Sequence, residues 1–210
     1  MRLLSIHPSR PNPAILAEAA AVIRAGGVVA YPTETFYGLG ADPRSAKGVA
    51  AVFAAKGRAA GEALPLIAAD VAAVERLLGK LSPLAARLVS RFWPGPLTLV
   101  VPLRPGILAE GVSAGRDTIA VRVSDHPVAR ALADAAGGLI TSTSANRSGE
   151  PPAVDAASVA STLGERIDLI IDAGAAEGLA PSTLVDVTAD VPRLVRPGRV
   201  PFDRVLESLQ

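Results

Sequence analysis

The 210 residues carry 21 basic and 20 acidic side chains, which gives a net charge of +1 at pH 7. This balance argues against a broad electrostatic footprint for DNA or a membrane, although a local basic groove remains compatible with it. The absence of cysteine excludes disulfides and zinc–thiolate sites, and two histidines argue against a histidine-built metal centre. No apolar run approaches the ~20 residues of a membrane span and no secretory signal is apparent. We therefore expect a cytoplasmic, single-domain protein over residues 1–210 that makes no membrane contact.

Helix and strand signals alternate along the chain. Helices are predicted where a capping residue or an early proline precedes an apolar run, at 13–24, 45–55, 71–78, 83–92, 127–136 and from Asp155 to 163. Short apolar runs predict strands at 28–31, 64–69, 97–103, 118–123, 139–142, 169–172, 183–187 and 193–195. Because no helix separates strands 97–103 and 118–123, an α/β fold with a twisted mixed sheet is favoured over a regular parallel one.

The segment from Tyr31 to Gly40 combines both tyrosines of the chain with two threonines and two glycines. A strand that stops at a proline and opens into hydroxyls and glycines is typical of the edge of a binding cleft. The alternative is a turn plugged by aromatic side chains.

Two cations, Lys56 and Arg58, flank a glycine at the end of a predicted helix. Because they are two residues apart, they cannot share one helix face, but a turn at Gly57 lets them converge on one anion. Arginine offers a planar fork to phosphate oxygens and lysine a point charge. The alternative is a basic helix C-terminus that satisfies the helix dipole.

A run of hydroxyl and amide side chains, from Ser142 to Asn146, follows the predicted strand 139–142. These groups can donate hydrogen bonds to a phosphate or a ribose. Such residues also form local turns readily, so a structural turn is the alternative.

An arginine lies within the predicted strand 118–123. The alternation of a strand places Thr118, Ala120 and Arg122 on one face. An arginine on a face lined by small residues can bind a carboxylate, and a solvated sheet face is the alternative.

The familiar nucleotide-binding glycine patterns and the nucleophile elbow of hydrolases are absent. The residues alone thus point to an anionic, phosphorylated ligand.

Eight short motifs occur in the order and approximate spacing of one family. They are Pro32-Thr33-Glu34-Thr35 with Tyr37-Gly38-Leu39-Gly40, Lys56-Gly57-Arg58, Trp93-Pro94-Gly95-Pro96-Leu97-Thr98, Asp117-Thr118, Val121-Arg122, Ser144-Ala145-Asn146, Pro181-Ser182-Thr183 and Arg196-Pro197-Gly198. From about Ala14 to Pro201 the chain resembles the YrdC/TsaC-type threonylcarbamoyl-AMP synthases, in their short, single-domain form.

The resemblance implies a twisted α/β sheet around a large, positively lined cavity. It implies that L-threonine, bicarbonate or CO₂, and ATP with Mg²⁺ become threonylcarbamoyl-AMP and diphosphate. A downstream threonylcarbamoyl transferase machinery would then modify the adenosine beside the anticodon of certain transfer RNAs.

The resemblance also implies roles for individual side chains. Lys56 and Arg58 would be the catalytic cations. The residues expected to hold ATP are Lys56, Arg58, Thr118, Ser144, Asn146 and Arg196. Those expected to hold threonine are Thr35, Arg122, Ser142 and Ser182, with Arg122 on the carboxylate. No protein metal site is implied. The segment 58–66 departs from the family pattern, so no contacts are carried over to it.

Two alternatives stay open. One is a non-catalytic RNA-binding module that uses the same basic cavity, and weak RNA binding is compatible with either reading. The other is a carbamoyl-transfer module related to a larger maturation enzyme. The near-neutral net charge and the lack of a series of aromatic residues for base stacking count against RNA.

Overall fold

The computed structural model describes residues 1–58, 61–178 and 180–210. Its helices are α1 (Pro13–Arg24), α2 (Ala46–Lys56), α3 (Val71–Leu78), α4 (Pro83–Phe92), α5 (Pro127–Ala135), α6 (Ala156–Leu163), the 3₁₀ turn Gly164–Arg166, and α7 (Phe202–Glu207). Its strands are β1 (Arg2–Ser5), β2 (Val29–Tyr31), β3 (Gly38–Gly40), β4 (Leu66–Ala68), β5 (Leu97–Pro102), β6 (Thr118–Val123), β7 (Leu139–Thr141), β8 (Thr143–Ser144), β9 (Leu169–Asp172), β10 (Thr183–Asp186) and β11 (Arg193–Arg196). None of the helices described is both long and apolar enough to cross a bilayer.

Side-chain caps start most of these helices where the sequence predicts them. The Asn12 carboxamide oxygen accepts a hydrogen bond from the Ala14 amide at 2.9 Å, and Asp70 accepts one from Ala73 at 2.6 Å. Each bond satisfies an amide that the helix itself leaves without a partner. Helices α1, α3 and α4 have the predicted bounds. Other predicted ends move by one or two residues, because residues such as Ser45 cap a helix from outside it.

The strands form two mixed sheets, where the sequence interpretation expected one. The five-stranded sheet has the order β1-β9-β2-β3-β8, and the six-stranded sheet the order β11-β10-β5-β6-β4-β7. As expected for strands with no helix between them, β5 and β6 pair antiparallel, whereas β10 pairs parallel with β5 and β4 with β6. The α/β class with mixed sheets is thereby confirmed.

The chain passes from one sheet to the other at Ser142. This residue lies between β7 of the six-stranded sheet and β8 of the five-stranded sheet, and its amide donates to the Pro65 carbonyl at 2.7 Å. A two-residue strand such as β8 gives too weak a pattern to predict from sequence. The crossing brings the polar run 142–146 to the junction of the sheets.

The aromatic side chains of the segment 31–40 are structural plugs. Tyr31 and Tyr37 are both fully buried, and their hydroxyls donate to the carbonyls of Thr141 at 2.9 Å and Gly174 at 2.7 Å. A Cβ on Gly40 would lie 2.9 Å from the Tyr31 ring, so glycine makes room for the ring in the antiparallel pair β2–β3. The aromatic part of the turn alternative is therefore correct, and strand β3, with no side-chain pattern of its own, was missed.

The inner face of the six-stranded sheet packs into the main hydrophobic core. In β6 the side chains of Ile119, Val121 and Val123 are nearly or fully inaccessible and belong to this core. A second core lies around α1 and α5 and includes Ile23 and Leu132. Because strand side chains alternate, burial of one face of β6 leaves Thr118, Ala120 and Arg122 facing away from this core.

Asp70→Ala should lower the free energy of unfolding by about 1 kcal/mol, because the first turn of α3 loses its capping acceptor while no apolar packing changes. Urea denaturation measures the difference. Asp70→Asn is the control, since an amide oxygen can still accept from Ala73. Equal losses for the two variants would show that the carboxylate charge matters rather than the cap.

Candidate functional site

A cleft of about 820 Å³ lies over the second face of the six-stranded sheet, formed by β5, β6, β10 and β11. Thr33, residues 35–38 and residues 142–144 also line it. Eight of the ten sequence-predicted residues line it, namely Thr35, Arg58, Thr118, Arg122, Ser142, Ser144, Ser182 and Arg196. The charged side chains of its described lining are Arg58, Arg116, Arg122, Arg196 and Glu62, so cations outnumber acids. Such a cleft attracts anions.

Lys56 lies behind the cleft wall and not in it. Its ammonium donates to the Ser144 carbonyl at 2.6 Å and to the Asn146 carbonyl and side-chain oxygen at 2.9 Å each. An ammonium has three hydrogens, and all three bonds go to this one segment. Lys56 does not act as a basic cap of helix α2, because its ammonium group bonds to the polar run 142–146 instead.

Burial, with a smaller contribution from the neighbouring Arg58, lowers the pKa of Lys56 from 10.5 to about 8, and Glu62 opposes the shift. Three acceptors around the ammonium favour its charged form. Lys56 thus carries a positive charge at neutral pH directly behind Ser144.

Arg58 follows the left-handed Gly57, which ends α2 with φ 60°. This turn directs Arg58 to the cleft, where it forms an ion pair with Glu62, four residues further on. Glu62 belongs to the segment that departs from the family pattern, and Ala59 and Ala60 of that segment lie outside the described residues. The partner of Arg58 is an exposed carboxylate, since 70% of the Glu62 side chain is accessible.

Arg122 projects from β6 into the cleft and is only 6% exposed, so the solvated-face alternative does not hold. Its Nη1 forms a buried ion pair with Glu34, whose other carboxylate oxygen accepts from the Ser124 hydroxyl. The neighbouring Thr35 lines the cleft, and the hydroxyls of Thr33 and Thr35 lie 3.0 Å apart. The Pro32–Thr35 motif thus contributes both a hydroxyl to the cleft and an acid behind it.

Three residues form a polar chain on the neighbouring strands. The hydroxyls of Thr98 and Ser182 lie 2.7 Å apart, and Arg196 Nη2 donates to the Ser182 carbonyl at 2.9 Å. Burial and then the positive charge of Arg122 lower the pKa of Arg196. Two guanidinium groups that repel each other in one cleft are stabilised by any anion that binds between them.

Sequence reasoning assigned no role to Thr98 and Arg116, which line the cleft, or to Glu34, which lies behind Arg122. Thr98 ends a motif that was noted without a role, Arg116 comes two residues before Thr118, and Glu34 lies between two threonines. The alternation of β5 would have indicated Thr98, because Thr98 and Val100 share the face that lines the cleft. The position of Arg116 depends on a loop, for which no periodicity exists.

The fold and this cleft define an α/β protein with a cation-rich cleft at the junction of two mixed sheets. The family model Sua5/YciO/YrdC, described as telomere recombination, matches residues 21–198. The chain belongs to this family.

Several curated relatives are named threonylcarbamoyl-AMP synthase. The protein from Bacillus subtilis is 41% identical over 190 residues, which cover 90% of this chain and 55% of the relative. The one from Halorhodospira halophila is 47% identical over 164 residues, covering 78% and 85%. The chain thus spans about half of the first relative and most of the second.

Two solved structures share the fold. The crystal structure of Pyrococcus abyssi Sua5 complexed with L-threonine has a TM-score of 0.93 at 36% identity, covering 100% of this chain and 61% of that one. Escherichia coli YciO has a TM-score of 0.86 at 28% identity, covering 96% and 98%.

Gly198→Ala should destabilise the protein and weaken anion binding, because the added Cβ would lie 2.4–2.5 Å from backbone atoms of Pro181, Ser182 and Thr183. Relieving this clash moves the turn that carries Arg196, at a cost of about 1–3 kcal/mol. Urea unfolding and titration with diphosphate, a small polyanion, measure the two effects.

Gly164→Ala is the matched control for this substitution. Its Cβ would meet only the flexible Met1 side chain, with the sulfur at 3.4 Å and the terminal methyl carbon at 4.0 Å. Unchanged stability in Gly198→Ala would contradict the close packing of the 196–199 turn on β10.

Proposed function

We propose that the chain is a threonylcarbamoyl-AMP synthase, which converts L-threonine, bicarbonate or CO₂, and ATP into threonylcarbamoyl-AMP and diphosphate. One observation carries the proposal: Arg58, Arg122 and Arg196 converge with the hydroxyls of the Thr35, Ser144 and Ser182 motifs in a single cleft. The names of the relatives and the threonine complex of the Pyrococcus abyssi protein support it. A role in transfer-RNA maturation would place the chain in the cytoplasm.

The proposed reaction has two stages. The threonine amine attacks CO₂ and loses a proton, which gives an N-carboxylate. This carboxylate then attacks the α-phosphorus of ATP, the bond to the bridging oxygen breaks, and diphosphate leaves. The reactants are anions, so catalysis needs in-line positioning and neutralisation of charge rather than a protein nucleophile.

The residues of the cleft would divide these tasks between them. Arg58 and Arg196 would hold the phosphates together with Thr118, Ser144 and Asn146, and Lys56 would contribute from behind Ser144. Arg122 would bind the threonine carboxylate, with Thr35, Ser142 and Ser182 beside it. The side chains of Ser182, Arg122 and Lys56 are already held by protein contacts. They therefore lose little conformational freedom when the ligand binds.

Mg²⁺ would arrive with ATP. Within the described residues, no group of three or more acidic or histidine side chains could hold a metal ion. The phosphate oxygens and water would therefore supply its ligands, as is common for Mg²⁺ in nucleotide sites.

The product, a mixed anhydride, would pass to a transferase that acts on transfer RNA. The alternative of a non-catalytic RNA-binding module is less well supported. The described lining of the cleft contains two aromatic residues, Phe36 and the otherwise buried Tyr37, and so lacks the series of stacking platforms that single-stranded RNA requires.

Lys56→Ala and Arg58→Ala should each reduce threonine-dependent diphosphate release from ATP by orders of magnitude, about 10²-fold or more. Arg58→Ala removes a direct charge from the cleft, whereas Lys56→Ala frees three acceptors of the 144–146 segment. A coupled diphosphate assay measures the rates. Lys80→Ala is the control, since this exposed lysine lies away from the cleft. Near-wild-type diphosphate release by both Lys56→Ala and Arg58→Ala would contradict the roles assigned to these residues.

ATP and threonine together should raise the melting temperature more than either ligand alone, because both bind the folded cleft. Differential scanning fluorimetry with a non-hydrolysable ATP analogue measures the shift. Stabilisation by RNA without any stabilisation by threonine would support the RNA-binding alternative instead.

A further inference from the structure

Glu34 is a buried acid that the proposed reaction does not use directly. Its side chain is 10% exposed, yet it is not part of the cleft lining. Its backbone carbonyl accepts from Arg199 Nη1 at 2.7 Å, and Arg199 also pairs with Glu177. The backbone of Glu34 is thus fixed independently of its carboxylate.

The two oxygens of this carboxylate have different partners, one on β6 and one on the residue that follows this strand. One accepts from Arg122 Nη1 and the other from the hydroxyl of Ser124, which is fully buried. The side chains of residues 122 and 124 both reach Glu34 at the end of β6. Glu34 therefore bridges them and fixes the rotation of the Arg122 guanidinium.

This contact leaves one edge of Arg122 available. Among the residues that the structure describes, Nε and Nη2 donate to no protein group, and no inaccessible side-chain nitrogen or oxygen lacks a partner. Both nitrogens therefore retain access to the cleft that Arg122 lines. The Nε and Nη2 hydrogens are parallel, which is the geometry that binds a carboxylate through both oxygens.

The charge of Glu34 favours a ligand with a single negative charge. It compensates the cation of Arg122, whereas Arg196 is held by the neutral carbonyl and hydroxyl of Ser182. The uncompensated Arg196 suits a polyphosphate, and the compensated Arg122 suits an amino-acid carboxylate.

We propose that Glu34 is a positioning residue, which holds Nη1 of Arg122 so that the Nε–Nη2 edge faces the carboxylate of the amino-acid substrate. The inference rests on the proposed function and deepens it. A purely structural ion pair would stabilise the fold without distinguishing the two substrates.

The test compares Glu34→Ala and Glu34→Gln with the wild type. Glu34→Ala should weaken threonine binding about tenfold and leave the affinity for a non-hydrolysable ATP analogue within about threefold, because only the Arg122 edge is released. Glu34→Gln should recover most of the loss, since its amide can accept from Nη1 and donate to Ser124. Calorimetric titration of each ligand and KM values for each substrate give the readouts.

Two further variants sharpen the test. Glu177→Gln removes an acid that contacts Arg199 but not Arg122, and both affinities should stay unchanged. Ser124→Ala keeps Glu34 but frees one of its oxygens, and should weaken threonine binding about threefold. Ser124→Ala decides the question if Glu34→Ala fails to fold.

The outcomes are distinct. Equal losses of both affinities that follow a lower melting temperature would make Glu34 merely structural. Wild-type threonine affinity in Glu34→Ala, or in Ser124→Ala where the former does not fold, would overturn the positioning role alone. A wild-type protein that binds ATP but no threonine would overturn both this role and the proposed function.

Discussion

The three hydrogen bonds of the Lys56 ammonium connect helix α2 to one wall of the cleft. They tie the last turn of α2 to the carbonyls of Ser144 and Asn146, which follow the crossing of the chain between the sheets. A buried cation is costly unless acceptors surround it, so the 144–146 segment has to keep the conformation that supplies them. The same segment presents Ser144 to the cleft, and Arg58 emerges two residues after Lys56. One buried charge thereby fixes both the hydroxyl wall and the origin of the neighbouring arginine.

The cations of the cleft are held in different ways, and the difference has a chemical consequence. Arg122 is compensated by a buried acid, Arg196 by neutral groups of Ser182, and Arg58 by the exposed Glu62. A ligand with several negative charges gains the most binding energy at an arginine whose protein partner is neutral or is easily displaced. Within the described lining of the cleft, these contacts therefore favour a monoanion at Arg122 and a polyanion at Arg58 and Arg196.

How far the sequence predicts this arrangement depends on the range of the interaction. Helices such as α1 and α3 follow from a cap and a local apolar pattern, and their bounds were predicted correctly. The alternation of β6 correctly placed Arg122 on the face that it shares with Thr118 and Ala120. Strands β3 and β8 were missed, because three residues with two glycines and a two-residue strand form only through their neighbours.

In the site, too, local motifs could be predicted from the sequence and long-range contacts could not. The arginines and hydroxyls of the cleft occur in recognisable motifs, and eight of the ten chosen residues line it. The bonds of Lys56 and Glu34 join residues about 90 positions apart, and a single sequence carries no signal for such pairs. The family resemblance supplied candidate ligands for these residues but not the geometry that separates a cation in the cleft from one behind it.

A net charge of +1 does not conflict with a cleft that attracts anions. Positive groups inside a concave wall of low polarizability concentrate the field, while acids spread over the outer surface cancel the total charge. The buried placement of Arg122 and the partial burial of Arg196 strengthen their interaction with any ligand that displaces water from the cleft. Local geometry rather than total charge therefore governs the attraction of anions, so the composition argues against a broad electrostatic footprint for DNA but not against this cleft.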